Sequence, residues 1–95
     1  MIRIICRFPI RRGDEASYLA EVKPCVLAAR GEPGNLDYTL FFNEETNVAT
    51  LLECYPDDAA LQAHTEYPHF KHDFLALQKY YDGEPSVEML RDPVV

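Results

Sequence analysis

Apolar and polar positions alternate from the start of the chain: Ile2, Ile4, Cys6 and Phe8 stand against Arg3, Ile5 and Arg7. A period of two predicts a β-strand with one apolar and one mixed face, closed by Pro9 and Gly13. The period then changes. Asp14 reads as a helix N-cap with Glu15 in the first turn, and Tyr18, Leu19, Val22, Val26 and Ala29 recur at helical spacing. Pro24 lacks a backbone donor, so a kink or an early end is expected within residues 14–30. After the turn cluster Gly31, Pro33 and Gly34, a second strand is predicted in which Leu36, Tyr38, Leu40 and Phe42 alternate with Asp37, Thr39, Phe41 and Asn43. The polar run 43–47 predicts a hairpin into a third strand, Val48 to Tyr55, stopped by Pro56. Asp57 or Asp58 is expected to cap a short helix through Ala59, Ala60, Leu61 and Ala63, and Pro68 to open a further helical segment with Phe70, Phe74 and Leu77 at i, i+4 and i+7. Asp82-Gly83-Glu84-Pro85 breaks the pattern before a last strand, Ser86–Arg91, with Val87, Met89 and Arg91 on one face.

The order β-α-β-β-α-β is that of an α+β, ferredoxin-like fold: a four-stranded antiparallel sheet with helices on one face. Ninety-five residues, 47% of them hydrophobic, are expected to form one domain over 1–95. A monomer of this size hides only roughly 60–65% of the surface its unfolded chain exposes. Ile5, Phe41 and Leu51 are expected on the sheet face away from the helices. Exposing them together would leave an apolar patch, so a homodimer that packs sheet on sheet is expected.

Charge narrows the function classes. The net charge of −7 is unevenly placed, with residues 1–30 at +3 and residues 31–95 at −10. An acidic chain repels a phosphate backbone, so no nucleic-acid partner is expected. No apolar run approaches the roughly 18 residues of a membrane span, and MIRIICRFPIRR places arginines within its apolar stretch rather than ahead of it, unlike a secretory leader. Cys6, Cys25 and Cys54 are odd in number and widely spaced. They read as buried thiols of a cytoplasmic protein rather than as disulfides or a zinc site. Arg3 and Arg7 are expected to meet acidic groups on the outer sheet face, leaving Arg11 and Arg12 as candidate anion contacts at a pocket rim.

The most informative stretches are Glu32-Pro33-Gly34-Asn35-Leu36-Asp37-Tyr38 and the run from Glu53-Cys54-Tyr55 through the acidic cap and Ala63-His64 to Pro68-His69-Phe70. Together they resemble the antibiotic biosynthesis monooxygenase superfamily. That family shows an E-P-G-x-x-x-Y turn into its second strand, an E-x-aromatic end to its third, an Ala-rich helix reaching A-H, and a P-H-F helix start. The resemblance runs over roughly Met1 to Tyr80 and implies a dimeric α+β barrel with a pocket between each sheet and its own helices. Activities in the family range over cofactor-free oxidation of quinols and polyphenols, haem breakdown and isomerisation, so the fold alone does not set the reaction. The haem-degrading branch uses an Asn, a Trp and a His at positions that here hold Cys6, His64 and Phe74. That branch is therefore not expected.

The resemblance implies a monooxygenase that oxidises a quinol or polyphenol-like aromatic with dioxygen and without a cofactor. Triplet dioxygen reacts slowly with closed-shell molecules, but an ionised dihydroxyaromatic can give it one electron directly. The protein then needs to bind the phenol, deprotonate it and exclude water. His64 is the first candidate base and His69 the second, with Glu53 a third catalytic candidate that orients His64. Tyr38, Tyr55 and Asn35 are candidate polar contacts to the substrate, and Cys6, Phe8, Phe70 and Phe74 candidate apolar walls. Each has a structural alternative: His64 bonding a helix-terminal carbonyl, His69 packing beside Pro68, Glu53 in a salt bridge, the tyrosines in the core. His69 and His72 stand at i, i+3 without a carboxylate at ligand spacing, so no metal is expected. Two other readings use the same pocket. One is an isomerase of a small carbonyl compound with His64 and Glu53 as proton shuttle, and the other is a dimeric binding domain without catalysis.

Overall fold

The alternating run at the N-terminus becomes strand β1 (Ile2–Pro9), with Ile2, Ile4, Cys6 and Phe8 buried and Arg3 and Arg7 exposed. The computed structural model describes all 95 residues. Strands β2 (Asp37–Asn43) and β3 (Val48–Tyr55) form the predicted hairpin, and β4 (Ser86–Arg91) lies along the free edge of β1. The sheet order is β2-β3-β1-β4 with every neighbouring pair antiparallel, the ferredoxin-like arrangement. No helix is long and apolar enough to cross a membrane.

Register decides which side chains meet the helices. Ile4 pairs with Glu53, Cys6 with Leu51 and Phe8 with Ala49, while Tyr38 pairs with Glu53 and Leu40 with Leu51. All of these therefore share the inner face. Leu51 is fully buried there in the core, which corrects its expected place on the outer face: opposite Cys6 it cannot point the other way. Ile5 and Phe41 do lie outside, Ile5 half-buried and Phe41 56% exposed. Arg3 and Arg7 pair with Asp37 and Glu88 of their own sheet, at 3.3 and 3.9 Å.

Helix α1 (Glu15–Arg30) continues through Pro24 rather than ending early there. Pro24 and Ala20 are both exposed, so the Ala20 carbonyl that loses its donor faces water, while Tyr18, Val22, Cys25, Val26 and Ala29 hold the opposite stripe on the sheet. Asp14 occupies the N-cap position without capping; its carboxylate takes Arg11 Nε at 3.2 Å instead. Asp57 does cap helix α2 (Asp58–Glu66), accepting from the Ala60 backbone N–H at 2.9 Å. Beyond Pro68 the expected helix is a π-helical turn, His69–Phe74, continued by a 3-10 segment, Leu75–Tyr80. Phe74 and Leu77 are still buried in it, and Phe70 stacks on Phe74.

One glycine sets how closely two of these pieces approach. A Cβ on Gly34 would lie 2.6 Å from the Ala60 Cβ. Only glycine lets the turn after α1 press against the first turn of α2. That contact carries Glu32, two residues earlier, to the end of α2 where His64 stands.

Candidate active site

A cavity of about 400 Å³ opens between the inner sheet face and the segments from α2 onwards. Strands supply one wall, with Ile4, Cys6 and Phe8 from β1, Tyr38 from β2 and Glu53 from β3. Leu61, His64 and Thr65 of α2 face them, together with Phe70 and Phe74 of the π-helical turn. Leu75, Gln78, Tyr81, Pro85 and the exposed Val87 complete the lining. Most of the lining is apolar, and the polar groups are few and placed on opposite walls, as in a small-molecule site.

The strongest polar arrangement is centred on Glu32. Its carboxylate, buried with the residue 7% exposed, lies between two imidazoles. His64 Nδ1 is 2.8 Å from Oε2 and 3.0 Å from Oε1, and His69 Nε2 is 2.5 Å from the same Oε2. No arginine or lysine pairs with it; its ionic partners are these two histidines. An ionised carboxylate only accepts, so both facing nitrogens carry a proton. In its neutral form His64 then has its lone pair on Nε2, the nitrogen no protein group engages, and His64 itself forms part of the cavity wall. The rings of Tyr38, Tyr55 and Phe70 surround the imidazole with centroids 5.0–5.5 Å away and hold it in place. This is a base whose proton position and orientation are set by a buried anion behind it.

Glu53 makes a second buried group. Tyr55 Oη donates to its Oε1 at 2.7 Å and Cys6 Sγ to its Oε2 at 3.4 Å. Burial pushes the Glu53 carboxyl above its ordinary range, against the lowering effects of the Tyr55 hydrogen bond and of His64. Burial, with Glu53 adding, pushes the Cys6 thiol up to about 12, so Cys6 serves as wall and donor rather than as a thiolate nucleophile. The phenols of Tyr38 and Tyr55 are likewise pushed up by burial and then by Glu53.

Of the residues singled out from the sequence, the cavity collects His64, Glu53, Cys6, Phe8, Tyr38, Phe70 and Phe74. Three do not line it. Tyr55 is fully buried at the end of β3, beyond Glu53 on the same face, and reaches the cavity only through the Glu53 carboxylate. Asn35 stays in the turn after α1, its backbone N–H on the Glu32 carbonyl and its Nδ2 buried without a partner. His69 turns to Glu32 rather than inward. Glu53 does not orient His64 as expected; Glu32 does, because the Gly34–Ala60 contact brings the first turn motif to α2. Glu32 stood in that motif without an assigned role, and a carboxylate 32 residues before a histidine offers no spacing signal. Leu61, Thr65, Gln78 and Tyr81 also escaped the sequence reading. Arg11 and Arg12 are not at the rim: Arg11 bonds Asp14 and the Lys79 carbonyl, and Arg12 the Glu45 carbonyl.

Comparison with known proteins agrees with this architecture. Residues 1–73 match the family described as Antibiotic biosynthesis monooxygenase. A protein of Bacillus subtilis (strain 168), named "Putative monooxygenase YcnE", is 32% identical over 72 residues, which span 75% of this chain and 76% of that one. A crystal structure described as an antibiotic biosynthesis monooxygenase superposes with a TM-score of 0.90 at 23% identity, covering 98% of this chain and 99% of the other. Rv0793 from Mycobacterium tuberculosis does so with a TM-score of 0.87 at 22% identity, covering 99% and 98%. These two structural likenesses speak for the fold, and the family match with the Bacillus relative speaks for descent: the chain belongs to the antibiotic biosynthesis monooxygenase family.

Proposed function

We propose that this protein is a cofactor-independent monooxygenase acting on a quinol or polyphenol-like aromatic, with His64 as general base. The observation that carries the reading is the imidazole held on one side by buried Glu32 and forming, on the other, the wall of an apolar cavity of about 400 Å³. A volume in the lower part of the usual 300–1,000 Å³ range suits a ligand of one or two rings. Phe8, Phe70 and Phe74 supply flat apolar contact for such rings, and Tyr38 and Glu53 are within the wall to meet a hydroxyl or carbonyl.

His64 Nε2 takes the phenolic proton, and the resulting imidazolium is stabilised by the Glu32 carboxylate behind it. The phenolate passes one electron to dioxygen, and recombination forms the ring carbon–oxygen bond. For a hydroquinone, one oxygen atom ends on the ring and the other in water. The substrate supplies all four electrons as it becomes a hydroxyquinone, so no external reductant enters. The lining favours this path by keeping water from the phenolate. Homodimerisation through the outer face belongs to the same proposal, since Phe41 and Leu90 stand exposed on the sheet face away from the helices.

The test is oxygen uptake by protein freed of metals, with a panel of dihydroxyaromatics. Uptake with at least one member and its loss in His64→Ala are expected; no uptake with any member counts against the reading. Glu53 shares the cavity wall with His64, the arrangement a proton-shuttling isomerase would use. Turnover of a carbonyl compound under strict anaerobiosis would favour that reading over oxygenation.

A further inference from the structure

We propose that Glu32, His64 and His69 form a binding site for one divalent transition-metal cation of the zinc(II) class, and that its binding reverses the hydrogen-bonding character of His64 in the cavity. His64 Nδ1, His69 Nε2 and a Glu32 carboxylate oxygen all lie within 4.8 Å of one another. Two imidazoles and one carboxylate are a borderline-soft set that suits zinc, leaving a fourth position for water. The set is nearly dry: the Glu32 and His64 side chains are 4% and 3% exposed, whereas His69, at 16%, gives the cluster an edge on solvent through which a cation can enter. The carboxylate has no arginine or lysine beside it, so its charge is free to meet a cation.

The geometry needs only a small adjustment. Bonds of about 2.0–2.2 Å to one tetrahedral ion hold neighbouring donor atoms roughly 3.3–3.5 Å apart. The carboxylate contacts of 2.5 and 2.8 Å therefore open by under about 1 Å, while the two ring nitrogens, within 4.8 Å of one another, close by up to about 1.5 Å. Protons balance without any leaving the protein. An imidazole in its neutral form donates its one proton to Glu32; with the cation on His64 Nδ1 and His69 Nε2, that proton moves to the other ring nitrogen. His64 then presents an N–H to the cavity where it had presented a lone pair. If His64 is the base proposed above, which is the one part of this inference that rests on that reading, the loaded protein is switched off.

Isothermal titration of metal-free protein with zinc chloride is expected to show one equivalent bound with a dissociation constant in the micromolar range or tighter. Binding should weaken at least tenfold in His69→Ala and in Glu32→Gln and stay unchanged in His72→Ala, whose parent residue is exposed and outside the cluster. Nitrogen-15 NMR of the parent protein, which needs no variant to fold, should show the His64 proton moving from Nδ1 to Nε2 at one equivalent of zinc. Absence of saturable binding below about 100 μM, binding undiminished in a folded His69→Ala, or an unmoved His64 proton would each overturn the site. Zinc should also lower oxygen uptake at least tenfold. If metal-free protein consumes no oxygen while NMR shows the proton transfer, the oxygenase reading fails and the metal site stands; uptake unchanged at saturating zinc would overturn the switch.

Discussion

Replacing Glu32 with glutamine keeps the shape of the buried group and removes its charge. The carboxylate now takes three contacts, at 2.8 and 3.0 Å from His64 Nδ1 and at 2.5 Å from His69 Nε2. Charge-assisted hydrogen bonds contribute about 1.5–3 kcal/mol each and neutral ones about 0.5–1.5, so converting two bonds costs about 2 kcal/mol. The amide adds a conflict. With its oxygen where Oε2 stands, near both imidazoles, its NH₂ points at the Nδ1–H of His64. His64 relieves this by carrying its proton on Nε2 and accepting from the amide, which removes the lone pair from the cavity. Taking away a buried charge avoids some desolvation, but losing one partner of a buried ionic contact is destabilising on balance. At about 4–8 °C per kcal/mol for a domain of this size, Tm should fall by about 8–16 °C. Circular dichroism melts with nitrogen-15 spectra of the histidines measure both consequences. A Tm equal to or above the parent's, with the His64 proton still on Nδ1, would refute the reasoning that Glu32 holds His64 in its present form.

Gly34→Ala should destabilise by about 1–3 kcal/mol through overpacking, since the new methyl falls 2.6 Å from the Ala60 Cβ. Pairing it with Ala60→Gly should restore most of the loss in denaturant titrations, and no restoration would show that the clash lies elsewhere. Glu53 gives a pH test. Its folded carboxyl holds the proton more tightly than the unfolded chain does, because burial dominates. The native state therefore binds more protons between the two pKa values, and stability falls as pH rises from the ordinary carboxylate range towards the folded value. Glu53→Gln should flatten that fall, and superimposable stability profiles from pH 4 to 7 would contradict it.

Much of the fold is written in local pattern. Two-residue alternation placed β1, β2 and β4, the polar run 43–47 and Pro56 bounded β3, and Asp57 before an Ala-rich stretch announced α2. Patterns that depend on context misled. Pro24 did not end α1 early, and the carbonyl it leaves without a donor lies on the exposed side of the helix. Leu51 shows the same point, because which face a strand residue takes depends on the register with its neighbours, and Cys6 and Leu40 place it inward.

The site divides along the same line. His64, Glu53 and the aromatic wall were legible through the motifs of the family resemblance, and the cavity brings them together on the inward face of the sheet and the segments that cover it. By itself, then, the chain's residue order determined the element sequence, the inward-facing stripes of β1 and α1 and the supply of chemistry-bearing side chains. Only the tertiary structure decided which of them meet. Glu32 reaches His64 and His69 because a glycine lets two backbones approach where any Cβ would collide. Such a contact between residues 32 and 37 positions apart leaves no period in the sequence, since it is fixed by packing across the fold rather than by the geometry of any one element.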